Sequence, residues 1–238
     1  MTAILPAAGK GTRMMALTEG KPKELLPLGG APTIARVIGE ARQAGIERIV
    51  VVSAPDKPLL DEFLRDYRVE IVHQPAMRGL ADAIACADVD DDAVVLLGDG
   101  AYYGGSPVAR MAELLEKGID GAVAVEPTDD TGTRRYGIVE VDEWRGGVLR
   151  IHEKPGPDAT ASRWAIAGRY ALSRRLMAFL SEAVLAYDGS GELGITPVLN
   201  AAVGEGFDLK AVALGPEMRR VDVGTPEEYE AGRRVFEG

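Results

Sequence analysis

Ala3-Ile4-Leu5-Pro6-Ala7-Ala8-Gly9-Lys10-Gly11-Thr12-Arg13 opens the chain with a short apolar run that passes directly into a glycine turn. Such a run reads as a strand delivering the turn at its carboxyl end. Working outward, Pro32 stands where a helix can begin, and Ile34, Val37, Ile38 and Ala41 recur at helical spacing until Gly45. Ile49-Val50-Val51-Val52 is a continuous β-branched run, the pattern of a strand buried on both faces. Residues 59–67 then read as a helix, 69–72 as a strand and 79–87 as a helix. Ala93-Val94-Val95-Leu96-Leu97 is a further buried run, ending at Gly98-Asp99-Gly100. This alternation predicts an α/β protein with a Rossmann-like, doubly wound, mostly parallel sheet and right-handed crossovers. Ligands of such sheets bind beyond the carboxyl ends of the strands, so the glycine turn and Asp99 are expected on one rim.

The second half is less regular. Residues 137–141 and 148–152 flank Asp142-Glu143-Trp144-Arg145-Gly146-Gly147 and read as a β-hairpin arm with its loop. A strand over 165–172, a helix over 174–187, a helix over 195–203, a strand over 209–214 and a last helix from Pro226 complete the reading. No internal repeat or linker divides the chain, and residues 1–238 are expected to form a single domain.

Of the 238 residues, 46% are hydrophobic and 27% charged, which supplies a sizeable core without staples. The formal net charge is −10. A general affinity for nucleic acid or an anionic membrane is thereby excluded, since either requires a basic face. A small anionic substrate needs only a few well-placed cations. The single cysteine, Cys86, forms no intramolecular disulfide and no multi-cysteine metal site; it reads as a small buried apolar residue on a helix. The start of the chain lacks the basic segment of a signal peptide, and no apolar run reaches membrane-spanning length, so a cytoplasmic enzyme is expected.

Gly9 and Gly11, placed directly after a strand, leave backbone N–H groups free to face an anion. Arg13 and Lys23 bracket the turn, one as a planar fork for phosphate oxygens and the other as a movable point charge. A dinucleotide fingerprint needs glycine where Met14 stands. A Walker-type loop needs Ser or Thr where Gly11 follows Lys10. Neither applies.

The pattern Gly9-Lys10-Gly11-Thr12-Arg13, followed by Leu17-Thr18 and Lys21-Pro22-Lys23-Glu24-Leu25-Leu26-Pro27, resembles the signature of the sugar 1-phosphate nucleotidyltransferases, also called nucleotide-sugar pyrophosphorylases. The resemblance continues in order through Gln74-Pro75, Gly79-Leu80-Ala81-Asp82, Leu97-Gly98-Asp99, Tyr136-Gly137-Ile138-Val139, Glu153-Lys154-Pro155, Gly191-Glu192-Leu193 and Asp222-Val223-Gly224-Thr225-Pro226. With Gly168-Arg169-Tyr170, these stretches look closest to the glucose-1-phosphate uridylyltransferase branch, and the thymidylyltransferase branch is nearly as similar. Ala16 stands where the family usually has proline, Gly100 where it often has a larger residue, and Thr196-Pro197 where Thr-Asp is common.

The resemblance implies a single-domain GT-A-like nucleotidyltransferase fold. It also implies condensation of a nucleoside triphosphate, UTP or dTTP favoured, with a sugar 1-phosphate, glucose 1-phosphate favoured. The products are an NDP-sugar and pyrophosphate, formed by in-line attack at the α-phosphorus. The attacking phosphate oxygen is already anionic, so positioning and charge neutralisation suffice without a strong general base. His73 and His152 accordingly read as structural. By resemblance Arg13 binds the β- and γ-phosphates, Lys23 the α-phosphate and Lys154 the incoming sugar phosphate. Glu153 accepts hydrogen bonds from sugar hydroxyls. Asp99 and Asp222, each expected at the end of an apolar strand, would hold Mg²⁺. Ala8 and Gly9 present main-chain atoms to the base, Gln74 hydrogen-bonds a pyrimidine, Gly79 offers its N–H to base or ribose, and Gly137 packs against the sugar. Each glycine is equally compatible with plain turn chemistry, and either aspartate alone with a helix cap or turn. Lys23 is expected to be an exposed pocket lysine.

Three other readings remain beside this one. The acceptor is another phosphorylated molecule, or the chain is a non-catalytic nucleotide-sugar binder, or it is a dinucleotide-dependent oxidoreductase. Met14 counts against the last. The sequence is compatible with a homo-oligomer, and no C-terminal β-helix domain is expected after Phe236.

Overall fold

The first half of the chain builds β1 (Thr2–Pro6), the short helix α1 (Met15–Thr18), the ribbon strands β2 (Pro27–Leu28) and β3 (Ala31–Pro32), α2 (Thr33–Gln43), β4 (Arg48–Ser53), α3 (Pro58–Leu64), β5 (Glu70–His73), α4 (Leu80–Cys86) and β6 (Ala93–Leu96). It continues as β7 (Gly100–Tyr103), α5 (Val108–Glu116), β8 (Gly121–Pro127), α6 (Asp130–Thr133), β9 (Gly137–Val141) and β10 (Val148–Glu153). The remainder is β11 (Trp164–Leu172), α7 (Arg174–Ala186), α8 (Ile195–Gly204), β12 (Leu209–Ala213), β13 (Arg219–Asp222) and α9 (Pro226–Glu237). This computed structural model describes residues 1–142, 144–189 and 191–237. Glu143, in the expected hairpin loop, lies outside them.

β1 sits inside the central sheet, parallel to β4 on one side and to β6 on the other, with β5 parallel beyond β4. The expected α/β doubly wound core is therefore present. β11 joins it antiparallel to β6, and β8 follows antiparallel to β11 with β12 parallel beyond. The β9–β10 hairpin lies where the spacing predicts it and pairs with β11 through Ile138 and Ala165. Gly147 at its loop bridges Lys210 of β12.

Side chains alternate across the sheet as a two-period strand requires. Ile4 packs into a core with α4, α7 and α8. Ala3 and Leu5 point the other way into a core with α2, α3 and α5. Helices on both faces explain why the central strands read as unbroken apolar runs. α7 begins where the Ser173 hydroxyl accepts from the Leu176 N–H, an N-cap. α9 begins where Thr225 Oγ1 accepts from the Glu228 N–H, with Pro226 at its first position.

β11 carries a bulge. Its register against β8 jumps between Ile166 and Tyr170, and Gly168 within the jump has φ of +72°. The bulge turns Arg169 into the interior, where the guanidinium pairs with Glu40 of α2 and donates to the Gly100 carbonyl at 2.7 Å. That bond ties β11 to the start of β7.

A third, smaller core joins Met14, Leu28, Ala101, Val221, Val223 and Tyr229. Met14, the residue that breaks the dinucleotide fingerprint, is fully buried there, worth about 1.5–3 kcal/mol for a side chain of its size. Its burial seats the glycine turn on the β7–β13 ribbon. Asp222 closes that ribbon, and only Val221 of its four strand residues is buried. The expectation of an apolar strand before Asp222 is thus corrected: a two-stranded ribbon outside the central sheet holds it, through pairing rather than core burial.

Candidate active site

The chain leaves β1 and turns through Gly11 at φ +60° into a 3-10 turn over Thr12–Met14. Gly9 has open space where a side chain would stand, whereas a Cβ on Gly11 would lie 3.3 Å from Lys23 Cδ. A cavity of about 430 Å³ opens over the turn, lined among others by Gly9, Lys10, Arg13, Lys23, Glu192 and Gly224. Two of the three cations named from the sequence, Arg13 and Lys23, therefore share one cavity, whereas Lys154, Asp99 and Asp222 are not among its lining residues. Arg13 is exposed. Lys23 is not, contrary to expectation: its side chain is 12% exposed and its ammonium meets Asp99 Oδ2 at 2.5 Å. Burial opposes the charge on Lys23, but Asp99 outweighs it and holds the ammonium above its ordinary value. Burial likewise pushes the Asp99 carboxyl up, and Lys23 more than offsets this, holding it below the usual carboxylate range.

Asp222 reaches the same place from the far end of the chain. Gly100 and Asp222 are register partners in the β7–β13 ribbon, and the Val223 N–H donates to the Asp99 carbonyl at 2.9 Å. A Cβ on Gly100 would stand 3.0 Å from Asp222 Oδ1, so the missing side chain makes room for the carboxylate. Arg220 holds the other oxygen, Oδ2, at 2.9 Å and also pairs with Glu126. Its guanidinium stacks 4.5 Å from the Tyr136 ring centroid. Burial raises the Asp222 carboxyl to about 6; Arg220 pulls it down, and the nearby negative charge of Asp99 adds to the rise.

The donor set suits magnesium. Asp99, between β6 and β7, and Asp222, ending β13, sit on neighbouring backbone segments, and each carboxylate has one oxygen in an ion pair and one outside it. No group of three or more His, Cys, Asp or Glu suited to a metal occurs among the described residues. Mg²⁺ commonly takes one or two carboxylates and completes its shell with water and phosphate oxygens.

Glu153 ends β10, in register with Gly137 of β9, and Lys154 follows it directly. Lys154 has φ of +47°, an uncommon backbone for a residue with a side chain. Thr196, at the start of α8, donates from Oγ1 to Glu153 Oε2 at 3.1 Å. Burial raises the Tyr170 hydroxyl, with Glu153 adding to the rise and Arg220 opposing it. A Cβ on Gly137 would fall 2.8 Å from Ile166 Cδ1, so this glycine has a packing role of its own.

Gln74 is 4% exposed. Its amide nitrogen donates to Asp82 Oδ2 at 2.8 Å and to the Gly79 carbonyl at 3.1 Å. Both N–H groups are thus engaged, and Oε1 remains as an acceptor. Gly79 precedes α4 at φ +99°, and a Cβ there would come 2.3 Å from the Leu193 carbonyl oxygen. The Ala81 N–H donates to that carbonyl and the Leu193 N–H to the Arg78 carbonyl. Gly79 therefore lets the Gly191-Glu192-Leu193 segment lie against α4, which brings Glu192 to the cavity.

Several supporting groups escaped the sequence reading. Lys57 and Glu24 form a buried pair beneath the glycine turn, with Lys57 Nζ 2.7 Å from the Ala7 carbonyl. Burial raises the Glu24 carboxyl, and Lys57 opposes the rise. Arg169 and Arg220 are almost fully enclosed as well. A charged residue flanked by apolar ones was the available signal, since such residues are rarely buried without a partner, but the partners lie far away in sequence. Cys86 is half-buried rather than buried. His73 pairs with Asp61 and His152 with Glu140, outside the cavity.

A glycine turn at the end of a parallel strand, two cations in one cavity and two aspartates on neighbouring segments form an arrangement that could take phosphate anions and a divalent metal. The chain belongs to the nucleotidyl transferase family, whose profile matches residues 2–235. A UTP–glucose-1-phosphate uridylyltransferase of Mycoplasma pneumoniae is 31% identical over 94% of this chain and 87% of its own length. A UDP-glucose pyrophosphorylase solved in complex with UDP-glucose superposes with a TM-score of 0.87 at 26% identity, covering 99% of this chain and 98% of the other. A UTP-bound UGPase from Acinetobacter baumannii superposes with a TM-score of 0.82 at 26% identity, covering 99% and 92%. No helix among the described residues is long and apolar enough to cross a membrane.

Proposed function

We propose that the protein condenses UTP with glucose 1-phosphate to UDP-glucose and pyrophosphate. The observation that carries this reading is the cavity in which Arg13 and Lys23 line the glycine turn, with Lys23 bonded to Asp99 and Asp222 in register with the next residue, Gly100. The relatives named above support the substrate pair.

In the reaction a sugar phosphate oxygen forms a bond to the α-phosphorus, and the bond from that phosphorus to the bridging oxygen breaks. Pyrophosphate leaves with the electron pair, and no proton is transferred. Arg13 holds the β- and γ-phosphates, and Lys23 neutralises charge that develops at the α-phosphate. Lys154 holds the sugar phosphate in line, and Glu153, braced by Thr196, accepts from the sugar hydroxyls. Gly9 and Gly11 offer N–H groups to the phosphates. Asp99 and Asp222 would hold Mg²⁺, which would supply neutralisation of phosphate charge.

Base choice follows from the Gln74 amide. With both of its N–H groups engaged, Oε1 is an acceptor that suits the imide N–H of uracil or thymine and opposes the ring-nitrogen acceptor of cytosine. Ala8, Gly9 and the N–H of Gly79 surround the base and ribose. Gly137 lets the sugar approach the hairpin.

Pyrophosphate release, measured over nucleoside triphosphates and phosphorylated acceptors with and without magnesium, tests the proposal. UTP with glucose 1-phosphate is expected to give the highest kcat/KM, and dTTP more turnover than CTP. An absence of turnover with every pair, alongside intact nucleotide-sugar binding, would make the chain a binder instead.

A further inference from the structure

We propose that Lys57 is a positioning residue of this site: it sets the peptide plane that presents the Ala8 N–H to a nucleobase carbonyl and, through Glu24, the place of Lys23. The proposal rests on the nucleotidyl-transfer reading above and deepens its account of nucleotide recognition.

Lys57 stands in the loop between β4 and α3, outside the sequence motifs. It is 7% exposed and Glu24 is 1% exposed. Its ammonium has three protons and meets three oxygens: the Ala7 carbonyl at 2.7 Å, Glu24 Oε1 at 2.9 Å and Glu24 Oε2 at 3.0 Å. A buried ammonium is costly unless it is fully partnered. Full partnering here requires the end of β1, the Lys23–Leu25 turn and the Lys57 loop to hold one arrangement. No other donor among the described residues meets the Ala7 carbonyl.

The first consequence concerns the Ala7–Ala8 peptide. In a planar trans peptide the C=O and the following N–H point in opposite directions. With the Ala7 carbonyl drawn to Lys57, the Ala8 N–H faces away from it. The Ala7 N–H donates to the Val52 carbonyl at 2.8 Å, but the Ala8 N–H has no acceptor among the described residues. Ala8 is 4% exposed. A buried backbone donor without a partner is uncommon, and a neutral carbonyl acceptor on a base satisfies it.

The second consequence concerns Lys23. Glu24 is its direct neighbour, and the clamp on the Glu24 carboxylate keeps the 3-10 turn from rotating. The Lys23 side chain then runs past Gly11 and ends at Asp99.

The test uses the full chain and three variants: Lys57→Met, Glu24→Gln and the two combined. Equilibrium binding of UTP and of inorganic tripolyphosphate is measured beside steady-state kinetics and thermal melting. The double variant leaves no buried charge behind and is expected to melt cooperatively. Its UTP affinity is expected to fall by roughly tenfold or more, and its affinity for tripolyphosphate, which has no base, to fall less. Glu24→Gln keeps the Lys57 bond to Ala7, so kcat is expected to drop by about tenfold or more while UTP affinity stays within about twofold. A folded double variant with parental UTP affinity and kcat overturns the proposal, as do equal losses for UTP and tripolyphosphate. Should the double variant not fold, Glu24→Gln decides: parental kcat overturns the proposal. A parent protein that binds no UTP overturns the functional reading instead, so the two failures are distinguishable.

Discussion

Lys23 Nζ stands 2.5 Å from Asp99 Oδ2, so the cation proposed for the α-phosphate and a carboxylate proposed for magnesium hold one another in place. Burial disfavours each charge alone, and their attraction outweighs it for both. The Asp99 side chain is 35% exposed, so the pair is a modest contributor to stability.

Lys23→Ala is expected to lower kcat by about 10²–10³-fold, the range seen when a preorganised charge-stabilising group is removed. The accompanying loss of stability should be about 1 kcal/mol at most. Parallel kinetics and chemical denaturation check both numbers, and parental kcat would take Lys23 out of the mechanism.

Asp222 sets a pH dependence whose sign can be worked out. Its folded value, about 6, lies above the ordinary carboxylate value near 3.9. A raised acid favours the folded state at low pH, and that advantage is lost as pH rises through about 6. Asp222→Asn removes the charge, so the metal-free variant should melt higher than the parent at pH 7, with the gap narrowing toward pH 5. In the parent, the magnesium concentration for half-maximal rate should rise as pH falls below about 6. Melting curves and magnesium titrations at several pH values test this, and a flat profile would count against Asp222 as a ligand.

Gly100→Ala is expected to shift the magnesium titration without unfolding the protein. Its Cβ would meet Asp222 Oδ1 at 3.0 Å, close enough to displace a carboxylate end by a few tenths of an ångström. Backbone strain is absent, since Gly100 is not among the positive-φ positions. We expect a roughly tenfold higher magnesium requirement with a melting temperature near the parent's.

Lys154→Gly separates strain from function. Relieving the φ of +47° should raise stability by roughly 0.5–1 kcal/mol. Losing the ammonium should raise KM for the sugar phosphate and leave KM for the nucleotide nearly unchanged. If both KM values moved together, Lys154 would not be specific to the acceptor.

Gly79→Ala is expected to be severely destabilising, by about 3 kcal/mol or more. The new Cβ would meet the Leu193 backbone at 2.3 Å from a φ of +99°, and neither neighbour is a flexible side-chain end. A cooperative melt close to the parent's would show that the contact yields easily.

Much of the fold was legible because its signals are local. Ala3-Ile4-Leu5, Ile49 to Val52 and Ala93 to Leu96 each lie buried between two helical layers, and burial on both faces writes a continuous apolar run. The glycine turn is equally local, because Gly11 needs its positive φ whatever surrounds it. Arg13 and Lys23 were legible from their offsets to that turn. By contrast β13 is Arg-Arg-Val-Asp, with one buried residue, and no periodicity announces it.

The chain's residues alone determined an α/β core, a glycine turn at the end of its first strand and a set of candidate charges in order. Tertiary structure decided which charges meet. Gly100 and Asp222 become neighbours through a ribbon register, Arg169 finds Glu40 across 129 positions of sequence, and Lys57 finds Glu24 and the Ala7 carbonyl beneath the turn. The physical reason is one of range. Strand and helix patterns come from the side-chain period within a few residues, whereas an ion pair or a shared metal site depends on backbone segments brought together by packing elsewhere.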